Sequence, residues 1–184
     1  MSLPTELETL RRCVDQGQVF RYRYFWGHRA RADGRLSDAV FSQWWSCRFE
    51  LDGRVYRTAE QFMMAEKARL FGDDEARSRI LGEADPSRCK ALGRKVRGFD
   101  EERWVAAREE IVTRGNVAKF RQNDALRGYL LATGADILVE ASPVDAVWGI
   151  GLAATDPAAP DPREWRGLNL LGFALVRVRG LLQA

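Results

Sequence analysis

Glu60 and Lys67 stand seven residues apart in the segment Thr58-Ala59-Glu60-Gln61-Phe62-Met63-Met64-Ala65-Glu66-Lys67-Ala68-Arg69-Leu70-Phe71. At about 100° per residue, Ala59, Met63, Met64, Ala68, Leu70 and Phe71 form one broad apolar arc. Glu60 and Lys67 fall inside that arc. Gln61, Glu66 and Arg69 fall opposite, where a solvated face is expected. A charge in a core-facing stripe is costly unless it is paired or lines a cavity. Seven residues of helix rise about 10.5 Å, and a lysine leaning toward the helix N-terminus can reach back toward a carboxylate. Two readings follow. One is a partly buried ion pair. The other is a carboxylate and an amine facing a pocket, each tuning the other's proton affinity.

Further residues suit ligand binding. In Asp145-Ala146-Val147-Trp148-Gly149-Ile150-Gly151, two glycines allow close backbone approach and an indole offers a stacking face. Asp145 could act as an acid or base, or simply cap a turn. Phe25-Trp26-Gly27-His28 leads from a strand into an arginine-rich loop. Trp44, Trp45 and Trp148 add stacking surface, or core. Asn169 sits among apolar neighbours and reads either as a sugar or base contact or as a buried amide bonded to backbone. Arg21, Arg23, Arg29, Arg31 and Arg35 crowd one stretch, and Arg94, Lys95 and Arg97 another. Guanidinium forks match phosphate, though a solvated basic face accounts equally for either cluster.

Several classes are excluded or disfavoured. The chain has 184 residues and a formal charge of +3, too mild for a dedicated duplex DNA binder. The single His28 leaves no His-based metal site and makes a Ser-His-Asp triad improbable. Cys13, Cys47 and Cys89 lack metal or disulfide spacing and suit a reducing cytosol, so a cytoplasmic location is expected. No apolar run can span a membrane, and the N-terminal stretch has no signal core. No dinucleotide or phosphate-loop fingerprint occurs, which disfavours a doubly wound nucleotide fold. No metal and no cofactor are expected, and the oligomeric state is not legible.

The positioning elements can be read in outline. Thr5 is expected to cap a helix to about Gly17, and Val19–Trp26 to form a strand. Asp52-Gly53 between Cys47–Leu51 and Arg54–Arg57 predicts a hairpin. It feeds directly into Thr58, whose capping box with Gln61 opens the Glu60/Lys67 helix. Helices are expected over Asp73–Leu81, from Asp85-Pro86 to about Val96, from Asp100 to about Phe120, from about Asn123 to Gly134 and over about Gly167–Leu181. Asp136–Ala141 reads as a brief strand. The expected class is α+β: one mostly helical domain over 1–184, core 20–182, with a small antiparallel sheet.

In this order the pieces resemble the NADAR (NAD and ADP-ribose) family, the YbiA-like N-glycosidases. The resemblance rests on Phe25-Trp26-Gly27, Phe41-Ser42-Gln43-Trp44-Trp45, Thr58-Ala59-Glu60-Gln61, Ala65-Glu66-Lys67-Ala68, Leu92-Gly93-Arg94, Asn116 with Lys119-Phe120, Leu138-Val139-Glu140, Asp145-x-x-Trp148-Gly149-x-Gly151 and Asn169-x-Leu171-Gly172. Members often carry Ser-Asn-Phe where this chain has Ser42-Gln43-Trp44. The resemblance implies a YbiA-like fold and hydrolysis of a ribose C1–N bond. Members act on phosphoribosylamino-pyrimidine intermediates of riboflavin synthesis, and others remove ADP-ribose from modified guanine in nucleic acid. A third reading is a non-catalytic ADP-ribose-binding module. The partner is thus a ribosyl phosphate or ADP-ribose-type molecule. Catalytic roles fall to Glu60, Lys67 and Asp145, and substrate contacts to Phe25, Trp26, Gly27, Trp45, Arg94, Trp148, Gly149 and Asn169.

Overall fold

The structure is a computed structural model and describes residues 3–183. It is α+β and largely helical. The chain separates into two compact units, one formed by residues up to Ser42 together with those from Gly128 onward, the other by Gln43–Arg127.

The second unit is built around one helix. Strands β2 (Phe49–Leu51) and β3 (Arg54–Tyr56) pair antiparallel, Phe49 opposite Tyr56. Asp52 and Gly53 both take positive φ, 53° and 70°, as a two-residue hairpin turn of the primed type requires. Helix α2 (Ala59–Leu70) follows at once, its first turn capped by the Thr58 hydroxyl, which accepts from Gln61 N at 3.1 Å. The expected capping box is completed one residue further back: Gln61 Oε1 accepts from Arg57 N at 2.8 Å. The Gln61 amide also donates to the carbonyls of Ile80, Leu81 and Glu83. Those carbonyls end helix α3 (Asp74–Gly82), whose cap is Asp73. Helix α4 (Pro86–Gly93) opens on the Asp85 cap and stops short of Val96. Helix α5 (Glu101–Arg121) opens on Asp100.

All three helices and β3 pack on α2. The amphipathic reading of α2 therefore needs correction. It has no broad solvated face: Gln61 and Glu66, expected on the outside, are each 2% exposed. The reason is compensation from elsewhere in the chain. Gln61 is satisfied by backbone, and Glu66 is ringed by Arg69, Arg77 and Arg114 at 3.0, 3.9 and 3.6 Å. Close approach is bought with small residues: a Cβ at Gly93 of α4 would overlap Met64, and one at Gly115 of α5 would overlap the Phe62 ring.

The other unit begins with α1 (Leu7–Asp15). Its N-cap is Glu6 and no side chain caps it, contrary to the role expected of Thr5. The Thr5 carbonyl instead accepts from Arg177 at 3.1 Å. Strand β1 (Tyr22–Phe25) pairs parallel with β4 (Ile137–Glu140), Tyr22 opposite Ile137 and Phe25 opposite Glu140. The expected small antiparallel sheet is the hairpin; β1 and β4 form a separate parallel pair that was not expected, because parallel strands need a long crossover that leaves no local signal. A single 3-10 turn spans Asp38–Phe41. Helix α6 (Asp124–Leu131) precedes β4, and α7 (Leu170–Gln183) ends the described chain. Leu7, Leu10, Ile137, Val139, Ile150, Leu152, Trp165 and Phe173 make the core of this unit.

Gly115→Ala tests the α5–α2 contact. Helix propensity alone would favour alanine by about 1 kcal/mol. Overpacking costs about 1–3 kcal/mol, and the Phe62 ring is held by Phe49 and Tyr56 at 6.3 and 5.1 Å. The expected net effect is a loss of up to about 2 kcal/mol in urea unfolding. A gain in stability would show that the ring yields freely.

Candidate functional site

Glu60 occupies the first turn of α2, where the helix dipole favours a carboxylate. It is 3% exposed. Its backbone N–H donates to the Gln43 carbonyl at 2.9 Å, and the Gln43 side-chain oxygen accepts from Asn116 Nδ2 at 2.8 Å. Asn116 is fully buried and also donates to Val112 O at 2.9 Å. Two buried amides from outside α2 thereby fix the turn that carries Glu60. Their role was hidden in the sequence, where only the polar types among apolar neighbours hint at it.

Lys67 is half-buried and does not reach back to Glu60. Its Nζ lies 4.2 Å from the centroid of the Phe99 ring and 5.3 Å from that of Trp104. The ion-pair reading is therefore replaced by an aromatic one. Burial pulls the amine below the ordinary lysine range, and the Glu101 charge partly opposes it. A second amine in this unit, Lys119, is fully enclosed, and burial pulls it down to about 8. Lys119 has no access to solvent, whereas Lys67 is only partly covered and open to a ligand. Cys89 is no nucleophile: burial, aided by Glu83, Glu60 and Asp85, pushes its thiol up to about 12. Trp45 is half-buried, and Arg94 is exposed at the C-cap of α4.

The remaining predicted residues belong to the other unit. Trp26 is 62% exposed, directly after β1, and Gly27 beside it takes φ 79°. Phe25 points inward and packs edge-on to Phe41 at 5.6 Å. Asp145 Oδ1 accepts from the backbone N–H of Val147 and Trp148 at 2.9 and 2.8 Å, so the turn-capping reading describes its observed bonds. Trp148 is half-buried. Gly149 is needed for packing: a Cβ there would lie 2.7 Å from Glu140 O. Asn169 is fully buried at φ 53°; it accepts from Glu140 N at 2.9 Å and donates to Leu138 O at 3.0 Å. Its amide is spent on β4. Of the arginine-rich stretch, Arg21 and Arg23 pair with Asp136, Arg23 also with Asp38, and Arg31 with Asp33. Among the described residues no cluster of His, Cys, Asp and Glu could hold a metal ion. Among the described residues no helix is long and apolar enough to cross a membrane.

An α+β fold with a buried glutamate and an aromatic-caged lysine on one helix fits an enzyme that works on a polar organic substrate. Residues 24–183 match the NADAR domain model, a span that runs through both units, and the chain belongs to that family. An N-glycosidase of Acanthamoeba polyphaga mimivirus is 43% identical over 145 residues, covering 76% of this chain and 85% of that protein. N-glycosidase YbiA of Escherichia coli is 30% identical over 139 residues, 76% of this chain and 78% of that one. A riboflavin biosynthesis protein of Vibrio vulnificus is 29% identical over 142 residues, 77% of this chain but 35% of that longer protein. The NMR structure of Escherichia coli YbiA superposes with a TM-score of 0.70 at 24% identity, covering 98% of this chain and 94% of that one, so the fold is shared. With these relatives the chain is a hydrolase of N-glycosyl compounds.

Glu101→Gln tests the electrostatics around Lys67. Removing the opposing carboxylate should make the amine titrate at a still lower pH, read from the Lys67 ε-methylene resonance across a pH series. A midpoint that stays or rises would contradict the assigned cause. The sign for stability follows: with a folded-state pKa below the unfolded 10.5, burial of Lys67 costs stability at low pH, and the cost fades as pH rises toward that value.

Proposed function

We propose that this enzyme hydrolyses the C1–N bond of phosphoribosylamino-pyrimidine intermediates of riboflavin synthesis, acting as one functional domain in the cytoplasm. The observation that carries the chemistry is Lys67, a half-buried amine of lowered proton affinity held over two aromatic rings, on the same helix as the buried Glu60. The name of the Vibrio relative supports the substrate class.

In the favoured route the sugar ring of the N-glycoside opens and the neutral Lys67 amine adds to C1. The C1–N bond to the pyrimidine amine breaks, and that nitrogen leaves with a proton. The resulting Schiff base takes up water, which releases the free sugar aldehyde and restores the amine. Glu60 serves as the carboxylate that stabilises positive charge at C1 and moves protons to and from the exchanging nitrogen and water. The competing route lets Glu60 or Asp145 activate water directly on an oxocarbenium-like centre. Asp145 enters on the family pattern, as do Trp26, Trp148 and Gly149 for stacking and backbone contact.

Two substrates distinguish the readings: the phosphoribosylamino-pyrimidine, and ADP-ribosylated guanosine. Release of free base from the first, abolished in Glu60→Gln, is the expected result. Turnover of the second alone would move the activity to ADP-ribosyl removal, and binding without turnover of either would make the chain a binding module. Borohydride added during turnover should trap substrate on the Lys67 peptide. An untrapped protein together with an active Lys67→Ala would sink the covalent route.

A further inference from the structure

Arg79, Gly82, Glu83, Arg88, Ala91, Leu92 and Lys95 line a depression of about 550 Å³ on the Gln43–Arg127 unit. It shares no residue with the set assigned above. Three cations and one carboxylate face it, so its charge is strongly positive on an otherwise nearly neutral chain. The carboxylate is occupied locally. Glu83 Oε1 accepts from the backbone N–H of Ala84 and Asp85 at 2.8 and 3.0 Å, and Oε2 stands 3.9 Å from Arg88. Among the described residues, the side chains of Arg79 and Lys95 form no ion pair or hydrogen bond.

The rest of the basic cluster behaves differently. Arg97, beside it in sequence, is bound by Asp73 and Glu75 at 2.9 and 3.1 Å. The cluster thus divides into an arginine consumed by the fold and cations left facing a concavity. Arg88, Leu92 and Lys95 follow helical spacing on α4 and its continuation, with Arg79 supplied by the last turns of α3. Gly82 adds no side chain to the rim, and Ala91 and Leu92 supply an apolar wall. Small-molecule sites commonly enclose about 300–1,000 Å³, so the volume suits a metabolite. Two guanidinium forks and an ammonium match the oxygens of a phosphate dianion.

We propose that this depression binds a small phosphorylated metabolite, its phosphate or diphosphate held by Arg79, Arg88 and Lys95 and an apolar portion resting on Ala91 and Leu92. None of its lining residues is among those assigned to the reaction, and its existence does not depend on the hydrolytic reading.

The probe is inorganic pyrophosphate, titrated into the full chain at constant ionic strength set with sodium chloride. Arginine Nε–H and backbone amide resonances of residues 79–95 should shift saturably. The double variant Arg79→Gln/Lys95→Gln should weaken binding at least tenfold, while Arg29→Gln, a control on the exposed loop after β1, leaves it unchanged. Both sets of substitutions are at exposed positions, and the same spectra report whether each variant is folded. Equal shifts with chloride alone, or unaltered pyrophosphate binding in the double variant, would overturn the proposal. Turnover measured with pyrophosphate present separates two sources of the phosphate. A rise in apparent KM alone marks the place where the hydrolysed substrate's own phosphate sits. An unchanged KM with shifts retained marks a separate ligand.

Discussion

Glu66 puts a full negative charge inside the most enclosed helix of its unit, and the packing of that unit follows from neutralising it. An isolated carboxylate there would cost several kcal/mol. Arg69 answers from the same helix, Arg77 from α3 and Arg114 from α5, and Arg114 extends the network to Asp52 in the hairpin turn at 2.8 Å. Buried ionic groups are weak evidence for net stability. Their effect here is on orientation. A rotation of α2 by one residue, about 100°, would strand Glu66 away from its arginines. The same rotation would carry Glu60 off the turn fixed by Gln43 and lift Lys67 from Phe99. Glu60 and Lys67 therefore inherit their directions from the ion-pair network of Glu66.

The other unit solves a different problem, that of backbone groups at element ends. The first N–H groups of α7 have no intrahelical acceptors. They find the carbonyls of the 147–149 turn: Leu170 N donates to Val147 O and Leu171 N to Trp148 O. Asn169 N donates to Gly149 O, while its amide closes the end of β4. Asp145 caps the start of the same turn. The glycines here serve the protein's own backbone: at Gly149 the close neighbour is Glu140 O, and a Cβ at Gly172 would overlap Leu138 O. Rigidity around Trp148 follows from this saturation of backbone bonds.

Local features were legible in the residues. The hairpin turn, the caps at Thr58 and Asp85, and the helices opening at Asp73 and Asp100 rest on short-range chemistry that a sequence displays. Glu60 and Lys67 stood out for being charged within an apolar stripe, and Glu60 is buried and Lys67 half-buried. What surrounds them was not legible. Phe99 and Trp104 lie far along the chain from Lys67, and the arginines that let Glu66 be buried come mostly from other helices. A helical wheel assumes one buried face and one wet one, so it misassigned Gln61 and Glu66. The same limit applies to β1 and β4, whose pairing carries no turn to announce it. Asn169 and Asp145 were each open to a ligand role or a backbone role, and their observed bonds are to backbone.

The parallel pairing of Tyr22–Phe25 with Ile137–Glu140 has a consequence for how the chain is made. On the ribosome β1 emerges long before its partner, whereas residues 43–127 form a continuous stretch whose contacts are complete as soon as it has been synthesised. The chain entropy of closing the longer loop grows only slowly with its length, so the burden is one of time. For that interval Tyr22, Tyr24 and Phe25 form an unpaired aromatic edge of the sort that recruits other nascent chains. Arg21 and Arg23 are interleaved with those rings. In the finished protein they pair with Asp136, immediately before β4. Until Asp136 is made, Arg21 lacks its carboxylate and Arg23 has only Asp38 to pair with, so both keep positive charge on a sticky strand, gatekeepers against aggregation that are later converted into the clasp at the start of the parallel pair.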